Sequence, residues 1–152
     1  MAFNFGWFGE GQYGAWSSTA ARQVDWTGDT IKCGLTTSSW TPDVDAHDFY
    51  SDVTNEISGT GYTTGGATLT SPTLVYDDAS NTLRLDAADT TWTTSTITNA
   101  RIAFVYKDTG VSTTSPLLGY GNFGADTSTV ADTFTITWDA TDGVLKITIT
   151  GI

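Results

Sequence analysis

Apolar and polar residues alternate with a period of two along much of this chain, the pattern of strands that bury one face and wet the other. In residues 31–36, Ile31, Cys33 and Leu35 fall on one face and Lys32, Gly34 and Thr36 on the other. A proline-bearing loop follows. In residues 48–57 the spacing of Phe49, Val53, Glu56 and Ile57 changes to that of a helix, with Asp45 or Asp48 placed to cap it. Gly59, Gly61, Gly65 and Gly66 then predict turns that return the chain to a second extended run.

Further along, residues 68–76 read as a strand that Pro72 confines to a sheet edge or a bulge. The turn residues 77–81 separate it from residues 82–86, where Leu83 and Leu85 point inward and Arg84 outward, so the two runs form a hairpin. Residues 89–98, with Trp92 and Ile97 among threonines, read as a loop leading into a short strand. Residues 99–107 are apolar on both faces, Ile102, Phe104 and Tyr106 against Ala103 and Val105, as in a central strand. A turn at 108–110, a strand at 115–123 and a soft linker at 124–131 follow. The chain closes on its clearest predicted hairpin. There Phe134, Ile136 and Trp138 alternate with threonines, a turn at Asp142 and Gly143 intervenes, and Leu145, Ile147 and Ile149 alternate with Lys146 and Thr148. About eight strands, one short helix and no strand-helix-strand repetition predict an all-β fold over residues 29–152, a mostly antiparallel β-sandwich or jelly-roll-like barrel.

Residues 1–28 depart from this pattern. They hold seven of the nineteen aromatic residues together with five glycines and no lysine, so an isolated helix is not expected and the segment reads as an extended N-terminal arm. Rings at this density are costly to leave in water. They either fold back onto their own domain or anchor in a pocket on another subunit. Phe3, Phe5, Trp7, Phe8, Tyr13 and Trp16 are therefore the candidate partner-binding residues, since aromatic side chains bury large areas at small rotamer cost.

A chain of 152 residues has the size of one domain and buries about 70% of its unfolded surface, enough for a core without metal or disulfide. Its net charge of −11 argues against a nucleic-acid partner, which requires a basic patch, and against attraction to an anionic membrane. No apolar run long enough to span a bilayer and no secretion signal is visible, so the expectation is a protein made in the cytoplasm that stays soluble. Fifteen of the seventeen acids are Asp rather than Glu, which favours turns and caps over helices. Thirty-one threonines fit the wet faces of strands.

Candidate chemistry is sparse. The single cysteine, Cys33, lies on an apolar strand face and reads as a buried thiol. The single histidine, His47, has Asp45 and Asp48 nearby but lacks the companions a zinc site or a catalytic triad needs, so a loop or capping role is expected. The acid pairs Asp43/Asp45 and Asp77/Asp78 do not match a calcium loop and read as turn chemistry. The glycine pairs lack the lysine and helix of a phosphate cradle. No catalytic residue, metal or cofactor is expected.

Three strings stand out: D-T-I-K-x-x-L from Asp29, H-D-F-Y-x-D-V from His47, and N-E-x-S-G-T-G-Y-x-x-G-G-A-T-L from Asn55. With Tyr76-Asp77, Leu85-Asp86-Ala87, V-Y-K-D-T-G from Val105, S-P-L-L-G-Y from Ser115 and T-I-T-W-D from Thr135, the chain resembles a family of small tailed-bacteriophage virion proteins described as head decoration or minor structural proteins. The resemblance implies a non-enzymatic protein that binds the outer surface of the assembled head and stabilises it. Its partners would be the major capsid protein and copies of itself, a trimer by analogy, and it would reside on the capsid exterior after synthesis in the host cytoplasm. The alternative is a tail, collar, receptor-recognition or glycan-recognition module of the virion. Members of that family tend to carry a helix-forming stretch at the N-terminus, and the aromatic arm is where this chain departs from them.

Overall fold

The computed structural model describes residues 5–15, 20 and 22–150. Among the described residues the fold is all-β with one α-helix, and its strands are paired antiparallel in two sheets. In chain order the elements are β1 (Gly6–Trp7), α1 (Gly9–Ala15), β2 (Ile31–Thr36), β3 (Ala67–Thr68), β4 (Thr73–Asp77), β5 (Thr82–Asp86), β6 (Thr90–Lys107), β7 (Leu117–Ile136) and β8 (Leu145–Thr148). One sheet has the order β1-β7-β6-β2-β3 and the other the order β4-β5-β8.

The centre of the first sheet, β2 with the second half of β6 and the start of β7, is buried on both faces, which explains why β2 and the second half of β6 are apolar on both sides. On one face Cys33, Leu35, Ala103, Val105 and Leu118 pack with Leu85, Val144 and Leu145 from the second sheet and its approach. On the other, Phe104, Tyr106, Ile102 and Leu117 are covered by Phe8, Trp40, Tyr50 and Val53. The approach of Phe104 to β2 fixes one residue identity. A Cβ on Gly34 would lie 2.3 Å from the Phe104 ring, so only glycine lets the ring lie across the strand.

The long ribbon of β6 and β7 corrects two sequence expectations. The short strand expected at the end of 89–98 extends back through the loop expected before it, and the linker expected at 124–131 is strand as well, the two paired through Ser95↔Asp132, Ile97↔Thr129 and Ala100↔Thr127. The register shifts four times between Trp92 and Ile102, and Thr94, Asn99 and Ala131 have positive φ. Bulges of this kind bend a ribbon and reset its alternation, which is why period-two reading fails there.

Three further expectations are corrected. The helix expected at 48–57 is a single 3-10 turn, Tyr50–Asp52. Asn55 has φ 56°, and Glu56 and Ile57 are drawn onto β2, where the Ile57 N–H donates to the Leu35 carbonyl at 2.9 Å. Asp52, rather than Asp45 or Asp48, does the capping: its Oδ2 accepts from the N–H groups of Asp48 and Phe49, both at 2.9 Å. The closing hairpin has its turn, with Asp139 bridged to Gly143, but its arms part: β7 pairs with β6, and β8 pairs with β5 in the other sheet. A corner between two sheets and a hairpin share the same local alternation, because both arms face one core. Finally, residues 68–76 divide into β3 and β4 on either side of Ser71 and Pro72, with Ser71 at φ 51°. The β4–β5 hairpin forms as expected, with Asp77 opposite Thr82.

The N-terminal segment contains an element that its composition argues against, the seven-residue α1. Tertiary contact supplies what propensity lacks. The Phe8 N–H donates to the Leu118 carbonyl at 2.9 Å, and β1 pairs Gly6 with Tyr120 and Trp7 with Gly119.

Candidate functional site

The three strings singled out in the sequence converge on one carboxylate. Glu56 sits between β2 and the loop that follows it. Its Oε2 accepts the Tyr50 hydroxyl proton at 2.6 Å, and its Oε1 accepts both the Tyr62 hydroxyl and the Gly65 N–H at 2.7 Å. Tyr62 in turn accepts the Leu35 N–H at 2.9 Å. The Gly65 carbonyl accepts the Tyr106 hydroxyl at 2.8 Å. Tyr50 lies flat on Tyr106, ring centroids 4.6 Å apart and planes 14° apart. Beside them the Lys32 ammonium holds Asp108 at 2.7 Å.

The electrostatics follow from this packing. Burial pushes the hydroxyls of Tyr50, Tyr62 and Tyr106 up from the usual tyrosine value, and the Glu56 charge acts in the same direction on each. The hydrogen bond from Lys32 holds Asp108 below the usual carboxylate range, with the Gly110 N–H adding to it. Glu56 is thus a carboxylate bound by three donors that ties the 50–66 loop to β2 and β6. Sequence reasoning missed this cluster because Glu56 was assigned to a helix. The available signal was compositional: one of only two glutamates in a chain of fifteen aspartates.

The six candidate arm residues are dispersed. Phe8 is fully buried, with its ring 5.2 Å from Tyr120 and 6.3 Å from Trp40. Phe5 meets Trp138 edge to face at 5.2 Å. Trp7 is half-buried and its indole N–H donates to the Lys146 carbonyl at 2.9 Å. Tyr13 is 65% exposed. Phe3 and Trp16 lie outside the described residues. Phe5, Trp7 and Phe8 therefore pack on their own domain, and Tyr13 alone of the four described presents most of its ring to solvent.

The other candidates have structural partners. Cys33 is fully buried, and burial pushes its thiol up. His47 stacks on Trp40 with planes 12° apart and its Nδ1 accepts the Asp43 N–H at 3.2 Å. Asp43 accepts from the N–H groups of Asp45 and Ala46, and Asp77 from those of Ala79 and Ser80, which is the turn chemistry the acid pairs predict. Among the described residues no group of three or more His, Cys, Asp or Glu is placed to hold a metal, and no helix is long and apolar enough to cross a membrane.

All six cations are engaged within the chain. Arg22, Lys32, Arg101, Lys107 and Lys146 pair with Asp48, Asp108, Asp126, Asp29 and Asp142, and Arg84 donates to the carbonyls of Ala140 and Thr141.

An apolar groove of about 180 Å³ lies between the arm and the second sheet, lined by Trp7, Trp26, Leu74, Leu83, Leu118 and Ile147 among others. Compared with known proteins, the chain matches no family model, no curated protein and no solved structure.

Proposed function

We propose that this chain is a non-enzymatic structural protein of a phage virion that adheres to the outer surface of the assembled head and reinforces it. The observation that carries the reading is the convergence of the resembling strings. Lys32, Tyr50, Glu56, Tyr62, Gly65, Tyr106 and Asp108 come from four separate strings and form one contiguous cluster of hydrogen bonds, stacked rings and an ion pair. A cluster of this kind holds a fold together rather than performing chemistry, as expected of a protein whose work is mechanical. A rigid, acidic β-body supports the same reading. A protein that binds only the assembled lattice stabilises that state by its binding free energy, and many copies make modest contacts sufficient. Tyr13, exposed on the arm, is the described aromatic we assign to contact with the capsid.

Glycan recognition receives no support from the described tryptophans. Stacking on a sugar ring requires an open indole face, yet Trp26, Trp40, Trp92 and Trp138 are buried and Trp7 is half-buried.

Incubation of the purified protein with emptied, expanded heads, followed by sedimentation of the particles, tests the proposal. Saturable co-sedimentation at a fixed number of copies per head is the expected result. Absence of the chain from purified virions by mass spectrometry overturns it.

A further inference from the structure

A sheet exposes backbone donors and acceptors along every open edge, and proteins blunt such edges by shortness, charge, bulges or a cover. Among the described residues this molecule uses all four devices, and the flank of β6 beyond β2 is met by the 59–62 loop, where the Thr96 N–H donates to the Thr60 carbonyl at 2.8 Å. β1 and β3 are two residues long. The flank of β7 beyond its pairing with β1 is bulged, carries Asp126 and Asp132, and has positive φ at Gly124 and Ala131. The edge of β8 is met by Trp7, whose indole donates to the Lys146 carbonyl. The exception is β4. Its five residues, Thr-Leu-Val-Tyr-Asp, keep an unbroken register with β5, all five are exposed, and no charge interrupts the first four. Leu74 is 51%, Val75 44% and Tyr76 51% exposed.

We propose that β4 is a self-association edge, at which two copies pair their β4 strands antiparallel about a two-fold axis through Val75 and join their three-stranded sheets into one of six strands. A two-fold interface must be complementary to itself, and this strand is. With Val75 opposite Val75 of the second copy, Leu74 falls opposite Tyr76 and Thr73 opposite Asp77. Leu74 and Tyr76 share one face of the strand. Both copies therefore contribute both residues to one apolar patch, continuous with the groove that Leu74 lines. On the other face each Thr73 hydroxyl meets the Asp77 carboxylate across the axis.

Charge selects the direction of pairing. In the antiparallel arrangement the two Asp77 carboxylates stand four residues apart along the ribbon, about 13 Å, beyond the screening length of about 8 Å in physiological salt. A parallel pair would set Asp77 beside Asp77, in a chain whose cations are already engaged. One edge per molecule closes the assembly at two, unlike the three-fold arrangement that the phage resemblance implies.

Sedimentation velocity on the full chain over a range of micromolar concentrations, with no capsid present, tests this independently of head binding. A monomer–dimer equilibrium is expected. Val75→Lys, which opposes two ammonium groups at the axis, is expected to raise the dissociation constant about fivefold, while its thermal unfolding reports that the monomer still folds. Val75→Cys supplies a readout that does not depend on that variant, because directly opposed Cα atoms lie within disulfide range, about 4.4–6.8 Å. It is expected to yield a covalent dimer on mild oxidation faster than Val130→Cys, placed at a residue 80% exposed on β7. A chain that stays monomeric throughout, a trimer or larger closed assembly, a dimer indifferent to Val75→Lys, or equal cross-linking of the two cysteine variants overturns the proposal.

Discussion

Tyr62 gives its hydroxyl proton to Glu56 at 2.7 Å while accepting the Leu35 N–H at 2.9 Å, so one side chain joins a loop carboxylate to the backbone of a core strand. Removing the carboxylate leaves two hydroxyls and the Gly65 N–H without their acceptor. Each orphaned buried donor costs about 1–3 kcal/mol, and partial hydration at the rim of the site lowers the sum. Glu56→Ala is expected to destabilise the fold by about 2–4 kcal/mol in urea denaturation. Tyr50→Phe, which leaves Glu56 two of its three donors, is expected to cost about 1 kcal/mol. Equal stability of Glu56→Ala and the parent chain would contradict the clamp.

Alkaline pH should act through the same cluster. Burial raises the hydroxyl pKa values of Tyr50, Tyr62 and Tyr106 in the folded state above the unfolded value of about 10. A group whose pKa is raised on folding contributes its stabilisation in full below the unfolded value and loses it as pH climbs past that value. Ionisation of these three residues, followed by ultraviolet difference absorbance, is therefore expected to coincide with loss of near-ultraviolet circular dichroism. Ionisation of all tyrosines near pH 10 with the fold intact is the contrary outcome.

Gly34 and Phe104 make a second testable pair. Gly34→Ala places a methyl group against the ring and is expected to cost about 1–3 kcal/mol by overpacking. Phe104→Leu removes the obstruction at its own cost. The double variant is expected to be more stable than the sum of the two single losses, with a coupling energy of about 1 kcal/mol or more in a double-mutant cycle. Additivity would mean that the ring does not lie over the strand.

How much of this was legible beforehand depends on where alternation survives. Residues 31–36 and 102–107 pair with one another in unbroken register, which keeps each face in phase, and the strands read correctly from their residues alone. Between Trp92 and Ile102 the phase is reset four times, so threonines that are paired look like loop. The parting of residues 133–149 into two sheets depends on contacts with Leu83 and Leu85, some sixty residues earlier, and no local pattern encodes that. Turn chemistry was the most readable layer, because an Asp carboxylate caps N–H groups two or three residues on, as at Asp43, Asp77 and Asp139. The Glu56 clamp was hidden for the opposite reason, since its donors are spread from residue 50 to residue 65 and its scaffold from 35 to 106.

Phe8 and Tyr13 separate the two roles open to the arm. Phe8 is fully buried, so Phe8→Ala is expected to lose about 3–5 kcal/mol, a large share of the stability of a domain this size. Phe8→Leu is the milder companion, expected at about 1–1.5 kcal/mol. Tyr13→Ala is expected to stay within about 0.5 kcal/mol of the parent. If Phe8→Ala unfolds at the same urea concentration as Tyr13→Ala, the arm is not part of the core.

The bond from the Trp7 indole to the Lys146 carbonyl spans 139 positions of sequence. On a ribosome adding about 5–20 residues per second, the Trp7 indole waits roughly 7–28 s for the strand that receives it. Throughout that interval the aromatic segment has no finished β-body to receive it. Closure therefore waits for β8, and a chaperone that shelters emerging aromatic segments during synthesis should raise the soluble yield more than one acting on the completed polypeptide.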